Sequence, residues 1–254
     1  GAYADKITLN GGTLRATATF SLNQYYSTTL GANNGFIEVD DGYILTYPAA
    51  ISGSGGLGKT GTGTLLLTGA NTFAGPMTNS AGTVQIGNNG TAGSVSANIV
   101  NNAALVWHRS DNVTYSGQIS GTGTLEKKGA GTLTLSGTSS MSGDTTVSAG
   151  TLLVSGSLAN SEVTVSSGAT LMGEGTVGDL VIGGTVDPGD SAAASATLSA
   201  GAVTLVAGGS LRVDMADVDG VAGTDWDLLD ASGTITVNDT GTFTIYLYGS
   251  STGF

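Results

Sequence analysis

Residues 51–87 read ISGSGGLGKTGTGTLLLTGANTFAGPMTNSAGTVQIG, and residues 119–155 repeat them without a gap as ISGTGTLEKKGAGTLTLSGTSSMSGDTTVSAGTLLVS. The two copies agree at 18 of 37 positions, and the shared residues are mostly Gly, Thr, Ser and Leu. No shared position is His, Cys, Asp or Glu. Such a repeat preserves a backbone path and an apolar core rather than reactive groups. It predicts a solenoid, in which each coil packs on its neighbours.

A shorter unit, in which glycine is followed by Thr or Ser and then an apolar residue, recurs along the chain. Gly63 and Gly82 begin two of these units 19 residues apart, and so do Gly131 and Gly150. Polar and apolar residues alternate beside the glycines, as they do over 132–136. This alternation predicts short strands that are buried on one side. Helices are not expected, because 43 glycines would be costly inside them.

Spacings of this size, with two or three strands in each, predict a parallel β-helix. Roughly 12 coils would form a rod on the order of 55–60 Å long, at the usual distance between paired strands. We expect residues 1–254 to form one solenoid, with 196–254 as a candidate C-terminal end segment. A β-sandwich is the alternative fold. The gapless offset between the copies, about three coils, favours the β-helix.

Composition limits the classes of partner. The net charge is −12, with 19 acidic and 7 basic residues. An acidic chain is a poor partner for nucleic acid and for an anionic membrane surface. There are no cysteines, so disulfides and thiolate metal sites are excluded. No apolar run approaches the roughly 18–20 residues of a membrane span, so this segment is not expected to cross a bilayer.

The two ends of the sequence suggest a piece of a longer protein. The chain begins at Gly1 without a methionine, and a strand-like pattern over 243–248 continues almost to Phe254. We therefore expect further chain beyond this segment.

The second copy contains Gly-Xaa-Gly-Thr-Leu, then Lys, Gly-Xaa-Gly-Thr-Leu-Thr-Leu-Ser-Gly, a short loop and Thr-Thr-Val-Xaa-Xaa-Gly-Thr-Leu, over residues 121–154. This pattern resembles the autotransporter-associated β-strand repeat. The first copy, 53–86, is similar but departs from it around Pro76. ALVWHRSD at 104–111 and GGTVDPGDS at 183–191 also resemble segments of that family.

The resemblance implies a right-handed β-helix of the passenger type. Proteins with such repeats are exposed on the bacterial surface or secreted. An extracellular or cell-surface location is therefore expected, with glycans or other cell-surface ligands, or further copies of the chain, as partners.

Two sequence motifs resemble parts of a serine protease site. His108 is the only histidine and lies in the run Trp107–Asp111, but neighbours on a strand point to opposite faces. We interpret His108 as an ordinary strand residue. Gly-Asp-Ser at 189–191 resembles the serine motif of protease passengers, but three alanines follow it. We interpret it as a turn after Pro188.

Acidic pairs are the other candidates for chemistry. Asp40 with Asp41, and Asp187 with Asp190, are the best pairs for a polysaccharide-cleaving β-helix. Adjacent carboxylates diverge in an extended chain, and only seven basic residues are available to hold a polyanionic substrate. The sequence therefore predicts no catalytic residue.

The densest acidic stretch contains Asp217, Asp219 and Asp225, followed by Asp227. Its Asp-Val-Asp-Gly segment is similar to part of a calcium loop, but a third ligand at the right step and a bidentate Glu are missing. A solvated loop is the favoured interpretation, and the first three residues are weak calcium candidates. No other cofactor is expected.

Four tyrosines form the last candidate surface: Tyr25, Tyr26, Tyr43 and Tyr47. They could contact a glycan or a protein from an outer face. The alternative is that they cover an end of the rod or fill a gap in it.

Three hypotheses on function follow. The first is a non-enzymatic extracellular rod with a structural or adhesive role. The second is a filament subunit whose open ends stack on other copies. The third is an enzyme, such as a polysaccharide-cleaving β-helix or a protease passenger.

Overall fold

The computed structural model describes residues 6–190, 195–215, 226–238 and 242–249. These residues form 33 short strands and no helix, and the pairings between the strands are parallel. No described segment is a helix with the length and apolarity needed to cross a bilayer.

The strands of the N-terminal third are β1 (Lys6–Leu9), β2 (Thr13–Ala16), β3 (Phe20–Ser21), β4 (Ser27–Leu30), β5 (Gly35–Val39), β6 (Ile44–Tyr47), β7 (Ile51–Gly53), β8 (Leu57–Thr60), β9 (Thr64–Leu67), β10 (Ala70–Asn71) and β11 (Met77–Asn79). The middle of the chain forms β12 (Thr83–Gly90), β13 (Ser94–Val95), β14 (Ile99–Asn101), β15 (Ala104–Arg109), β16 (Val113–Tyr115), β17 (Ile119–Ser120), β18 (Thr124–Lys128), β19 (Thr132–Leu135), β20 (Thr145–Val147), β21 (Thr151–Val154) and β22 (Ser157–Leu158). The C-terminal part forms β23 (Val163–Val165), β24 (Thr170–Gly173), β25 (Thr176–Val177), β26 (Leu180–Ile182), β27 (Thr185–Pro188), β28 (Thr197–Ala200), β29 (Val203–Leu205), β30 (Ser210–Met215), β31 (Leu228–Ala231), β32 (Ile235–Val237) and β33 (Thr244–Gly249).

Each coil passes through three faces in turn. Face A contains the sheets β1-β4-β7, β10-β13 and β16-β19-β21-β24-β27-β30-β33. Face B contains β2-β5-β8-β11-β14-β17 and β22-β25-β28-β31, and face C is one 11-stranded sheet from β3 to β32. The expected parallel β-helix is thus confirmed, and the sandwich alternative is wrong.

The expected number of coils was too high. The 11 strands of face C mark about ten turns among the described residues, rather than 12. Register partners on this face follow one another at short, similar intervals over most of the chain, as from Thr83 to Ala104. Three intervals are longer: the first, from Phe20 to Leu45, and the last two, from Leu180 to Val203 and from Val203 to Ile235. More residues per coil near both ends therefore account for the smaller number of coils.

The core consists of columns of apolar residues that stack from coil to coil. On face C, Leu45, Leu65, Val84, Leu105 and Leu125 follow one another in register. Each is at most 1% exposed. Burial of apolar surface against like residues is the main stabilising contribution in such a stack. The alternation seen in the sequence correctly predicted which residues face inward.

The two sequence copies do not occupy the same faces. In the first copy, β8 lies on face B and β9 on face C; the equivalent strands of the second copy, β18 and β19, lie on faces C and A. The offset between the copies is therefore three coils and one further face, not about three whole coils. The repeat specifies a run of strands with the corners between them, and this run can begin on more than one face of the solenoid.

Buried amides support other corners. Asn79 Nδ2 donates to Asn101 Oδ1 at 3.0 Å and to the Ala104 carbonyl at 2.9 Å. Asn101 Nδ2 donates to the Thr124 carbonyl at 2.9 Å. Both asparagines are fully buried and stack in register on face B. Interior polar side chains thus hold the backbone of the next coil.

Candidate functional site

The residues of the first protease-like motif lie on opposite sides of β15. Trp107 is inside, with its ring centre 5.0 Å from that of Tyr115, whereas His108 is half-buried on the other side. Its register partner in the next coil is Lys128. Burial lowers the pKa of His108, and the charges of Lys128 and Lys127 lower it further. Glu126 acts in the opposite direction, but the two lysines outweigh it, whereas a catalytic histidine is oriented by a carboxylate.

Asp111, the acid of the same motif, is bound by an arginine. Arg109 Nε and Nη2 donate to its two carboxylate oxygens, each at 2.8 Å. The hydrogen bond from Arg109 is the main cause that lowers the pKa of Asp111. Arg109 also donates to the carbonyls of Thr91 and Gly93 and so fastens that loop. The role of Arg109 and Asp111 in the fold therefore explains why they are paired. Ser191, from the second motif, lies outside the described residues.

The Asp40–Asp41 pair diverges, as the sequence predicted. Asp40 accepts two hydrogen bonds from Arg15, at 2.9 and 3.0 Å. Asp41 accepts one from the hydroxyl of Thr62 at 3.1 Å. Each carboxylate therefore has a separate partner on the surface.

The Asp187–Asp190 pair also separates. Asp187 is 7% exposed and belongs to the cluster described below. Asp190 lines a cavity of about 70 Å³ together with Glu174, and Asp187 is not part of its lining. The cavity that Asp190 lines is thus a different feature from the cluster that contains Asp187.

Three aspartates from two successive coils converge near the C-terminal end. Asp187 is on β27 and Asp214 on β30, and Asp227 comes just before β31. Their carboxylate oxygens lie within 4.8 Å of one another. We call this group the aspartate cluster. It is the set of described residues whose donors and geometry could hold a divalent cation.

Partners within the chain already engage the cluster. Asp227 accepts hydrogen bonds from the backbone N–H groups of Ala196, at 2.9 Å, and Asp214, at 3.0 Å. Asp187 lies 3.3 Å from the guanidinium of Arg212. That guanidinium also lies over the ring of Tyr248, 4.7 Å from its centre. The cluster therefore ties three coils together.

Burial shapes the protonation of the cluster. It raises the pKa of Asp187, and the nearby Asp214 and Asp227 raise it further, while Arg212 acts in the opposite direction. Burial also raises the pKa of Asp227, against the effect of its two backbone donors. A raised carboxyl pKa fits both a general acid and a structural group.

The calcium candidates Asp217, Asp219 and Asp225 lie outside the described residues. Of the acidic stretch named in the sequence, Asp227 is described. Sequence reasoning missed Asp214. The alternation of residues over 210–214 could have revealed it, because it places Asp214 on the same outward side of the strand as Arg212.

A groove of about 550 Å³ runs along the junction of faces B and C. Asp144, Glu162 and Asp179 line it, each just before a strand of face C. The strands that follow pair in register, so these carboxylates stack at about the spacing of the coils, 4.8 Å. Asp230 adds a fourth carboxylate. Among the described residues that line it there is no Lys, Arg or His. The groove is thus unsuited to a polyanionic substrate such as a polyuronate.

The tyrosines divide between surface and core. Tyr25 is 55% and Tyr43 39% exposed. Tyr47 is fully buried, and its hydroxyl forms a hydrogen bond with that of Thr28. The suggestion of an outer-face role is therefore wrong for Tyr47, which fills the core as the alternative proposed.

Comparison with known proteins agrees with this architecture. The family model of the passenger-associated-transport-repeat matches residues 57–86 and 125–154. The "Adhesin BmaC autotransporter" of Brucella suis biovar 1 (strain 1330) is 38% identical over 127 residues, which is 50% of this chain. The chain spans 4% of the length of that adhesin. No solved structure matches the chain.

The first matched segment contains the strands from β8 to β12 and the second those from β18 to β21, in the parallel β-helix described above. The chain therefore contains two passenger-associated-transport repeats and is similar over half of its length to an autotransporter adhesin. These similarities indicate an extracellular or cell-surface location.

Proposed function

We propose that the chain is a non-enzymatic extracellular rod, a passenger-type module with a structural and adhesive role. The proposal rests on one observation, that polar residues of the chain bind one another and stabilise the fold. The acids of the sequence candidates, Asp40, Asp111 and Asp187, are bound by arginines of the same chain. The reactive groups thus stabilise coils, and the outer faces remain for contact with a ligand.

The adhesin relative supports the adhesive part of the proposal, since it is 38% identical over half of this chain. Exposed Tyr25 and Tyr43 are suitable contacts for a glycan or protein, because an aromatic ring gives a large contact area at low entropic cost. Cell-surface ligands, glycans included, are the partners we propose.

The test combines a binding assay with an assay of cleavage. Beads coated with the chain should adhere to cultured epithelial cells more than beads coated with albumin. Incubation with polygalacturonate, chitin and xylan should release no reducing ends. Equal adhesion of the two kinds of bead would contradict the adhesive role. Release of sugar that Asp187→Asn or Asp190→Asn abolishes would show an enzyme instead.

One observation favours a second candidate function, end-to-end assembly. Ile235 and Val237 on β32 continue the inward register of face C, yet they are 64% and 66% exposed. On β33, Ile245 and Leu247 are 59% and 66% exposed. An open coil with apolar side chains and unpaired backbone groups can accept another coil. For this segment on its own, we propose a second copy of the chain as its occupant; in a longer protein the following coil would fill the same place.

Sedimentation velocity over a concentration series tests the assembly. We expect the weight-average mass to increase with concentration, because each added copy covers the exposed apolar residues of the last coil. The variant Val237→Lys, Leu247→Lys should stay monomeric, since two charges would oppose stacking. A wild-type chain that remains monomeric at the highest concentration would exclude this function.

A further inference from the structure

The two copies of the repeat share an interior lysine. Lys59 and Lys127 occupy equivalent positions, since each is the ninth residue of its copy. Their exposures are 0% and 1%, although lysine is rarely buried without a charged partner. Lys59 stacks between Ile37 and Asn79 of the adjacent coils. Lys127 stacks between Trp107 and Val147.

Each ammonium group is held by three backbone carbonyls. Lys59 Nζ donates to the carbonyls of Thr60 at 2.9 Å, Gly61 at 2.7 Å and Ala81 at 3.0 Å. An ammonium group has three N–H donors, so this set uses its whole capacity.

The second copy has the same arrangement. Lys127 Nζ donates to Lys128 at 3.0 Å, Gly129 at 2.8 Å and Ala149 at 3.0 Å, again through their carbonyls. The three distances nearly equal their counterparts in the first copy, so the arrangement belongs to the repeat.

The three carbonyls come from two successive coils. Thr60 and Gly61 form the corner after β8, whereas Ala81 precedes β12, one coil further along the chain. Likewise, Lys128 and Gly129 follow the lysine directly, and Ala149 lies just before β21. Each lysine therefore connects the corner of its own coil to the corner of the next coil. The two corners lie on different edges of the solenoid, since β8 is on face B and β18 on face C.

The charge of these lysines is balanced by carbonyl dipoles. Among the described residues no carboxylate oxygen lies within 4.0 Å of either Nζ, while Arg15, Arg109, Lys128 and Arg212 each have an acidic partner. Burial lowers the pKa of both Lys59 and Lys127 to about 8. Both groups are therefore still charged at neutral pH, and the three carbonyls favour that form.

We propose that the lysine at the ninth position of each copy acts as a latch. By this we mean that its ammonium group binds the coil that contains it to the following coil. The latch is incomplete until the following coil supplies its carbonyl, because only two of the three acceptors come from the lysine's own corner. A coil that dissociates would leave a charged group without its third hydrogen bond in an apolar core. The latch thus makes the addition of the following coil cooperative, independently of what the rod binds.

Replacement by methionine tests the latch, since it keeps most of the side-chain volume and removes the ammonium group. In Lys127→Met we expect a lower unfolding midpoint in urea. We also expect at least about tenfold faster hydrogen exchange at the Ser148 and Thr151 amides, which bond to the preceding coil. Lys128→Met is the matched control, because Lys128 is 42% exposed and pairs with Glu126 on the surface. Exchange at those two amides should be unchanged in the control.

The variant could instead be as stable as the wild type, because a buried charge can often be replaced by an apolar group without loss of stability. If Lys127→Met unfolds at the wild-type urea concentration with unchanged exchange, the ammonium group is not a latch.

A second variant keeps the proposal testable if Lys127→Met does not fold. Lys127→Ala removes the atoms that n-propylammonium would replace. Addition of that ion during refolding should raise the folded fraction of Lys127→Ala above that obtained with equimolar n-propanol, and Lys128→Ala should show no such difference. Equal effects of ion and alcohol on Lys127→Ala would contradict the proposal.

Discussion

Replacing Leu133 by Asp should lower the free energy of unfolding by at least about 4 kcal/mol, because the change removes a buried side chain and introduces a charge without a partner. Leu133 is 1% exposed and stacks in register between Val113 and Leu152 on face A. The column continues through Leu171 and Val186, both fully buried. Urea unfolding followed by circular dichroism measures the loss.

The damage should be greatest in the coils next to the substitution, since a solenoid is stabilised mainly by contacts between neighbours. Hydrogen exchange should therefore accelerate most at β16, β19 and β21. Thr114→Asp is the matched control, because Thr114 is exposed and lies on the outer side of the same sheet. It should change the free energy of unfolding by less than about 0.5 kcal/mol. A Leu133→Asp variant as stable as the wild type would show that Leu133 does not face the core.

The sequence was sufficient for the class of fold because the alternation of residues decides burial. In β19, Thr132 and Thr134 are half-buried and Leu133 and Leu135 buried, as a period of two requires. The repeat indicated a solenoid but not the register between coils, since the offset between the copies is three coils and one further face. The number of coils did not follow from the sequence either, because nothing in the alternation shows that the step from Val203 to Ile235 contains a long connection.

The chemistry of the interior was harder to predict. Lysine is normally assigned to the surface, and the sequence alone does not show that the corner carbonyls can replace water around Lys59 and Lys127. The aspartate cluster was hidden for another reason. Asp187, Asp214 and Asp227 are well separated along the sequence, and only the path of the long C-terminal connections brings them together.

Substitution of Gly150 by Ala should cost about 3 kcal/mol or more, because two unfavourable effects combine at this corner. Its φ is +66°, a conformation that disfavours a side chain. A Cβ atom would also overlap the carbonyl oxygen of Gly129 in the preceding coil. The coils would have to separate to admit one methyl group.

Two other glycines separate these effects. Gly168 has a φ of +80° but no heavy atom within 4 Å of an added Cβ, so Gly168→Ala should cost only about 1 kcal/mol. Gly12 has neither a positive φ nor a close neighbour, so Gly12→Ala should be neutral within about 0.5 kcal/mol. Urea unfolding of the three variants should therefore rank Gly150→Ala below Gly168→Ala and Gly12→Ala nearest the wild type. If Gly150→Ala and Gly168→Ala lost the same stability, the cost would come from backbone conformation alone, and the close approach of successive corners would not limit which residues this repeat accepts.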